Sequence, residues 1–256
     1  LMNKLIKKLQ LESRKYIVNS IYNAQSSHVG SALSCIDILI AQLLFIKQRE
    51  DIDYTKALER IVLSKGHGAA AVYGLLSSLT EGVNFKDYYQ NSSWYTGHVS
   101  HEVKHVLHST GSLGHGLPVA CGVAYANREN LYSVILSDGE MQEGSNWEAL
   151  MVAPKLNLNN LLITIDYNDQ QSFGPVTQTM SIEPIEEKLH SFGWSVYRND
   201  GHNIPDMINT FKKAMTESKP LAMVADTKKG KGVSFMEDQT KWHYSPPNQD
   251  EYEKAL

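Results

Sequence analysis

The sequence predicts an α/β fold, a mostly parallel sheet with helices on both faces, in one domain spanning residues 1–256. Two observations predict it. Apolar runs of strand length alternate with helical patterns through the second half of the chain, and several runs are apolar throughout, as strands covered on both faces are. No linker, internal repeat or low-complexity segment divides the chain.

Leu5, Leu9, Leu11, Tyr16, Ile17 and Ile21 mark one apolar face of an N-terminal helix. The stretch LMNKLIKKLQLESRKYI is charged throughout, unlike a secretion signal. Leu1 ahead of Met2 reads as a vector remnant. SCIDILIAQLLFI is a second, more buried helix with Ser34 as its N-cap. RIVLSKGHGAAAVYGLLSSL reads as strand, tight turn and helix. Residues 81–109 form a short helix and a long functional loop, whose Trp and Tyr content opposes disorder. STGSLGHGLPVACGVAYANRE carries glycines and then a close-packing, small-residue helix. Then come a strand (LYSVILSD), a helix (GSNWEALMVAPKL), a strand (NLLITIDYN), a helix (PIEEKLHSFG) and a strand (WSVYRND). The helix IPDMINTFKKAMTES and the strand KPLAMVADTKKGKG, which ends in a basic glycine loop, complete the series.

At 256 residues and 42% hydrophobic content the chain can build a substantial core. A net charge of −4 offers no basic surface for nucleic acid or anionic lipid. Cys35 and Cys121 cannot frame a disulfide scaffold and read as buried free thiols. No apolar run is read as long enough to span a bilayer. The expected setting is soluble and cytoplasmic.

Parallel strands place their ligand beyond their carboxyl ends. Asp138 and Asn168 follow successive strands, so both belong at that edge. A carboxylate, an amide oxygen and a nearby main-chain carbonyl make a hard-oxygen site for Mg²⁺ or Ca²⁺, and Mg²⁺ commonly holds phosphate too. Gly139 lets the chain approach a phosphate closely, and Glu140 and Glu143 are read as caps of the following helix. Alone, Asp-Gly after a strand is an ordinary turn. The joint pattern is sharper: Asp-Gly, a strand–helix–strand span of thirty residues, then Asn.

That pattern resembles the thiamine-diphosphate fingerprint, Gly-Asp-Gly followed about thirty residues later by Asn, with Ser137 in place of the first Gly. SSHVGSALSCIDIL, LSKGHGAAAVYGLL, TGHVS, TGSLGHGLPVACGVA, SDGEMQEGSNWEA, DTKKGKGVSF and WHYSPP follow the order and spacing of the transketolase family's diphosphate-binding half. The chain therefore resembles the N-terminal subunit of a split transketolase, with the fold of a thiamine-diphosphate-binding PP domain.

The resemblance implies roles. Asp138, Asn168 and the main-chain carbonyl of Gln170 would hold the metal, Mg²⁺ or else Ca²⁺ or Mn²⁺. Gly139 and His67 would reach the diphosphate. Gly111 and Leu113 would lie against the aminopyrimidine, with His115 hydrogen-bonding nearby. Lys229 would close the site behind thiamine diphosphate. His28, His98 and His243 would face the substrate hydroxyls and the thiazolium, His243 also touching the cofactor. Glu143 and Glu148 would stand at a subunit interface near the partner's active centre, with Glu143 in the catalytic set. In such chemistry the cofactor holds the charge as a ketose breaks between its second and third carbons, and an aldose accepts the two-carbon unit. Imidazoles suit the accompanying proton traffic.

Other histidines have plainer readings. His101, His105 and His108 are surface or loop residues. The spacing of His98, His101 and His105 also suits zinc, against which the substrate-facing role of His98 stands. His190 and His202 carry no signal. Trp94, Tyr95 and Trp242 are read as packing against the loop, and the KKGKG run as a solvated turn.

The resemblance also implies what lies elsewhere. The glutamate acting on the cofactor's pyrimidine, and most residues gripping a sugar phosphate, belong to other domains. The expected partner is a C-terminal transketolase subunit, in a heterotetramer with two copies of each chain. Sugars or sugar phosphates are the expected substrates, with no nucleic acid and no membrane. Val29, Val99 and Tyr244 depart from the family pattern and point to an unusual ketose or acceptor. Another thiamine-diphosphate-dependent carbon–carbon ligase or lyase subunit, or a non-catalytic binding subunit, are the competing readings.

Overall fold

The computed structural model describes residues 2–256; Leu1 and the reading of it as a remnant lie outside them. Five strands form one sheet: β1 (Ile61–Leu63), β2 (Tyr132–Ser137), β3 (Leu161–Tyr167), β4 (Ser195–Asp200) and β5 (Leu221–Asp226). Their spatial order is β1-β2-β3-β5-β4, and every pair is parallel. Each strand falls where the sequence places it. Parallel neighbours need crossovers, and most of the helices supply them: α1 (Met2–Ala24), α2 (Val29–Glu50), α3 (Tyr54–Leu58), α4 (Ala69–Leu79), α5 (Gly116–Ala126), α6 (Gly144–Lys155), α7 (Val176–Met180), α8 (Ile185–Ser191), α9 (Ile204–Ala214) and α10 (Gln249–Ala255).

Strand alternation divides the core in two. Ile61, Leu63, Ile135, Leu162, Leu221 and Met223 point into a cluster shared with α1, α2, α4 and α9. Val62, Val134, Leu136, Ile163, Ile165 and Val224 point the other way, onto α5, α6 and α8. Adjacent residues of one strand therefore serve opposite layers, and the strands look apolar throughout for that reason.

α2 is apolar on all sides, so it must be buried on all sides. By length and composition it would pass for a bilayer-crossing helix, which corrects the expectation that no run is long enough. Its apolar window is wholly enclosed by the fold. The helix begins at Val29 rather than near Ser34, so Ser34 is an interior residue and not an N-cap. His28 occupies the cap position in a left-handed conformation, with φ 76°. Along α1 the predicted face holds at Leu9, Tyr16, Ile17 and Ile21, whereas Leu11 is exposed because it falls off the stripe.

Three buried polar side chains of α2 are tied to its neighbours. Gln42 donates to Thr164 on β3 and accepts from Ser133 on β2. Asp37 accepts from Gln10 and Arg14 of α1 at 2.8 and 2.6 Å and pairs with His202 at 2.8 Å. Ser34 donates to Asp166 of β3 at 2.6 Å. Asp166 also accepts from Thr227 and, at 2.5 Å, from the ammonium of Lys65. Lys65 donates further to the main-chain carbonyl of Ser31. Burial opposes charge on both partners, but each charge stabilises the other, so Lys65 is held above and Asp166 below its ordinary value.

Removing one member of such a pair leaves the other charge buried alone, at a cost of about 3–5 kcal/mol. K65M and D166N should each lower the unfolding free energy read from urea melts by that order. The double variant should lose clearly less than the sum. Additive losses would show that the pair is not energetically coupled.

Candidate functional site: a histidine-lined cavity at the carboxyl edge

Ser137 and Asp166 sit opposite each other in the β2–β3 register, so the chain leaves both strands at one place. Asp138 is the first residue past β2 and Asn168 the first past β3. Asp138 is almost wholly buried. One of its oxygens accepts the main-chain N–H of Gly139 at 2.7 Å, the other those of Asn168 and Asp169 at 2.9 and 2.6 Å. A carboxylate offers about four acceptor positions, so three amides leave room for a cation. Burial, then the charge of Asp166, pushes the Asp138 carboxyl up to about 7. The side-chain oxygen of Asn168 accepts from the Gln170 N–H at 3.1 Å, and the Gln170 carbonyl accepts from Lys229 at 3.2 Å.

A cavity of ≈ 360 Å³ opens beside this edge, within the range of small-ligand sites. Gly139, Asn168, Gln170 and Lys229 line it together with His28, His67, His98 and His243. Gly111 and Leu113 contribute from the loop before α5, and Glu143 from the turn before α6. Asp138 lies just behind the lining. His115 is exposed at the start of α5 and does not line the cavity. Glu148 is exposed on α6.

Local pins explain the convergence. His67 lies in the turn Gly66–Gly68 past β1. There a Cβ on Gly66 would come within 2.5 Å of the Thr110 main chain, so the turn and the loop carrying Gly111 can approach only through glycine. The long loop is held by Val99 N–H to the Gly66 carbonyl at 3.1 Å and by Thr110 Oγ1 to the Leu63 carbonyl at 2.6 Å. His28 donates its main-chain N–H to the His243 carbonyl at 2.8 Å. His28 lies 5.2 Å from His67, 5.9 Å from His98 and 5.2 Å from His243, between ring centres. Burial, with help from the neighbouring imidazoles and from Lys229 and Lys65, lowers His28 to about 4 and His243 to about 3. Burial and Lys65 lower His67 well below the usual range. These three rings are neutral at pH 7.

Several expectations change. Glu143 occupies the N-cap position of α6, but its side chain makes no cap bond. Glu140 caps nothing either: it is buried, accepting from Ser64 Oγ, Gly114 N–H and Ser137 N–H. Among the described residues no histidine cluster holds metal-binding geometry, which removes the zinc reading of His98, His101 and His105. His105 instead pairs with Glu59. His202 binds Asp37 and the Lys228 N–H, a structural task the sequence did not signal. Val29 and Val99 are buried and do not line the cavity, whereas Tyr244 lines it and is exposed. Trp242 is buried against Phe235, and Trp94 is exposed. The missed residues are Lys65 and Asp166. A charged residue inside the run LLITIDY was the available signal, because a buried charge demands a partner.

A parallel sheet whose carboxyl edge gathers oxygen donors and a glycine turn around one cavity has the form of an α/β ligand-binding domain. The particular class follows from comparison. The chain belongs to the transketolase family: residues 6–255 match the family model described as transketolase, thiamine diphosphate binding domain. One subunit of the apulose-4-phosphate transketolase of Phocaeicola vulgatus is 36% identical, over 98% of this chain and 93% of that protein. The 6-deoxy-6-sulfo-D-fructose transketolase subunit of a Clostridium species is 31% identical, over 95% and 92%. The solved transketolase of Campylobacter jejuni superposes with a TM-score of 0.86 at 23% identity. This chain covers 42% of its length.

The lowered imidazoles make stability depend on pH. Below the ordinary histidine value of 6.5 the unfolded chain takes up protons that folded His28 refuses until about 4. Stability should therefore be full above that window and decline as pH falls through it. Urea melts across the window should show a slope that flattens in H28N, Asn being tolerated at the left-handed φ. An unchanged slope would clear His28 of the effect.

Proposed function

We propose that this chain is the diphosphate- and metal-binding subunit of a two-chain transketolase. The observation that carries the reading is the convergence on one cavity of the Asp138–Asn168–Gln170 oxygens, Gly139 and four histidines. The oxygen donors suit Mg²⁺, with Ca²⁺ or Mn²⁺ as substitutes. The acceptor position that Asp138 keeps after binding three amides fits that assignment. Gln170 Oε1 and Gln171 Nε2 are buried without partners beside the cavity, as groups awaiting a polar ligand would be.

Asp138, Asn168 and the Gln170 carbonyl would hold the metal, and Gly139 and His67 the diphosphate. Gly111 and Leu113 would border the pyrimidine. Thiamine diphosphate, when bound, supplies the electron sink for cleaving and forming a ketose carbon–carbon bond. The protein's own task is to orient hydroxyls and to hold protons. Neutral His28 and His243 can serve there without repelling a cation, with His98 beside them. Glu143, exposed at the cavity rim, would face the partner chain.

The relatives named as subunits support a partner. We propose that it brings the pyrimidine and C-terminal domains, in a heterotetramer with two active sites. The substrate would be a ketose or ketose phosphate donor with an aldose acceptor. Tyr244 at the cavity mouth supports a specialised sugar: its ring stands 4.7 Å from His243 and 6.2 Å from His28.

Calorimetric titration of thiamine diphosphate with Mg²⁺, into the chain alone and with its partner, tests the cofactor reading. Metal-dependent binding that appears or strengthens with the partner is expected, and D138A should abolish it. Binding in neither case would overturn the assignment. With the pair in hand, xylulose 5-phosphate and ribose 5-phosphate should be poor substrates, and Y244G should raise kcat/KM for them. High activity of the parent pair on both would remove Tyr244 as a selector.

A further inference from the structure

Lys229 and His243 stand on different loops at the carboxyl edge, one past β5 and the other at the end of the 3-10 turn Thr240–His243. Lys229 is buried although it bears a charge. Its ammonium lies 2.8 Å from Nδ1 of His243 and 3.2 Å from the Gln170 carbonyl.

An ammonium has three donors and no acceptor, and a neutral imidazole has one N–H and one acceptor nitrogen. Nδ1 of His243 must then be the acceptor, which leaves the ring proton on Nε2. We infer that Lys229 is a positioning residue that locks His243 in the Nε2–H tautomer, so that His243 meets the cavity as a hydrogen-bond donor. The lock is rigid on both sides. A Cβ on Gly30 would meet Lys229 Cγ at 3.1 Å and the Trp242 carbonyl at 3.3 Å, so the lysine stem fills its groove. The His243 main chain is fixed by the N–H of His28.

The division of labour follows. With Nδ1 engaged and Nε2 protonated, His243 can stabilise a negatively charged oxygen but cannot accept a proton. Proton acceptance falls to another ring of the cluster. That consequence rests on the transketolase reading; the tautomer does not.

The test is a two-bond ¹H–¹⁵N correlation spectrum of the histidine rings, recorded on the chain alone at neutral pH, with H243N assigning the signal. The Nε2–H pattern is expected for His243 in the parent and in K229R, and a mixed or Nδ1–H pattern in K229M. An Nδ1–H or doubly protonated His243 in the parent would overturn the lock, as would an unchanged pattern in K229M. In the reconstituted pair at saturating cofactor, K229M should lower kcat by about tenfold or more with little change in KM. Calorimetry separates the two ideas. An Nε2–H signal without cofactor binding keeps the lock and ends the transketolase reading. Cofactor binding with the wrong tautomer ends the lock alone.

Discussion

The buried pair between Lys65 and Asp166 is the constraint on which the carboxyl edge depends. It joins the turn past β1 to the end of β3, and through Ser34, Ser31 and Thr227 it adds α2 and the turn past β5. Four segments are thereby fixed by one network. A buried ion pair stabilises little relative to an apolar substitute, so its value here is positional. If Asp166 moved, the backbone of Asn168 would move with it, and so would the loop that Asp138 gathers through its amide contacts. The same ammonium helps keep the His67 imidazole neutral. Stability and loop geometry thus share one origin, and the pair adds to what burial does to the His67 imidazole.

From that anchor the electrostatics of the cavity follow. The charge of Lys65 is largely cancelled by Asp166, and the carboxyl of Asp138 is raised toward neutrality. Lys229 is left as the uncompensated cation behind three uncharged imidazoles. A site of that kind can admit a phosphate beside a divalent metal. Protonated histidines would repel the metal, and a full set of ionised carboxylates would repel the phosphate. Burial, rather than any single neighbour, is the first cause of each shift.

The fold was readable because its strands are buried on both faces and so announce themselves as apolar runs. The place of Asp138 and Asn168 was readable from the same logic, since parallel strands end together. What escaped the sequence depends on tertiary contact. Ser34 looks like a cap because Ser commonly is one, but α2 begins five residues earlier, and the hydroxyl serves Asp166 instead. Glu140 follows Asp-Gly as a capping residue would, yet it turns inward to hold Ser64 and Gly114. Leu11 matched an apolar count without matching the helical angle. His115 carried a family expectation, and it lies exposed at the start of α5, outside the cavity lining.

Ser137 shows why a departure from a fingerprint is not by itself a loss of the site. Its N–H donates to the Glu140 carboxylate and its hydroxyl accepts the Glu140 N–H, both at 3.2 Å. The turn that a glycine closes by flexibility is closed here by a reciprocal pair of side-chain bonds, which leaves Gly139 free to face the cavity. Val29 and Val99 are likewise spent on packing, away from any ligand. Of the family departures, Ser137 and Tyr244 both line the cavity, and Tyr244 is the one that stands exposed. The turn past β2 thus keeps its closure despite Ser137, and Tyr244 is the departure that changes the bulk and polarity of the exposed cavity wall.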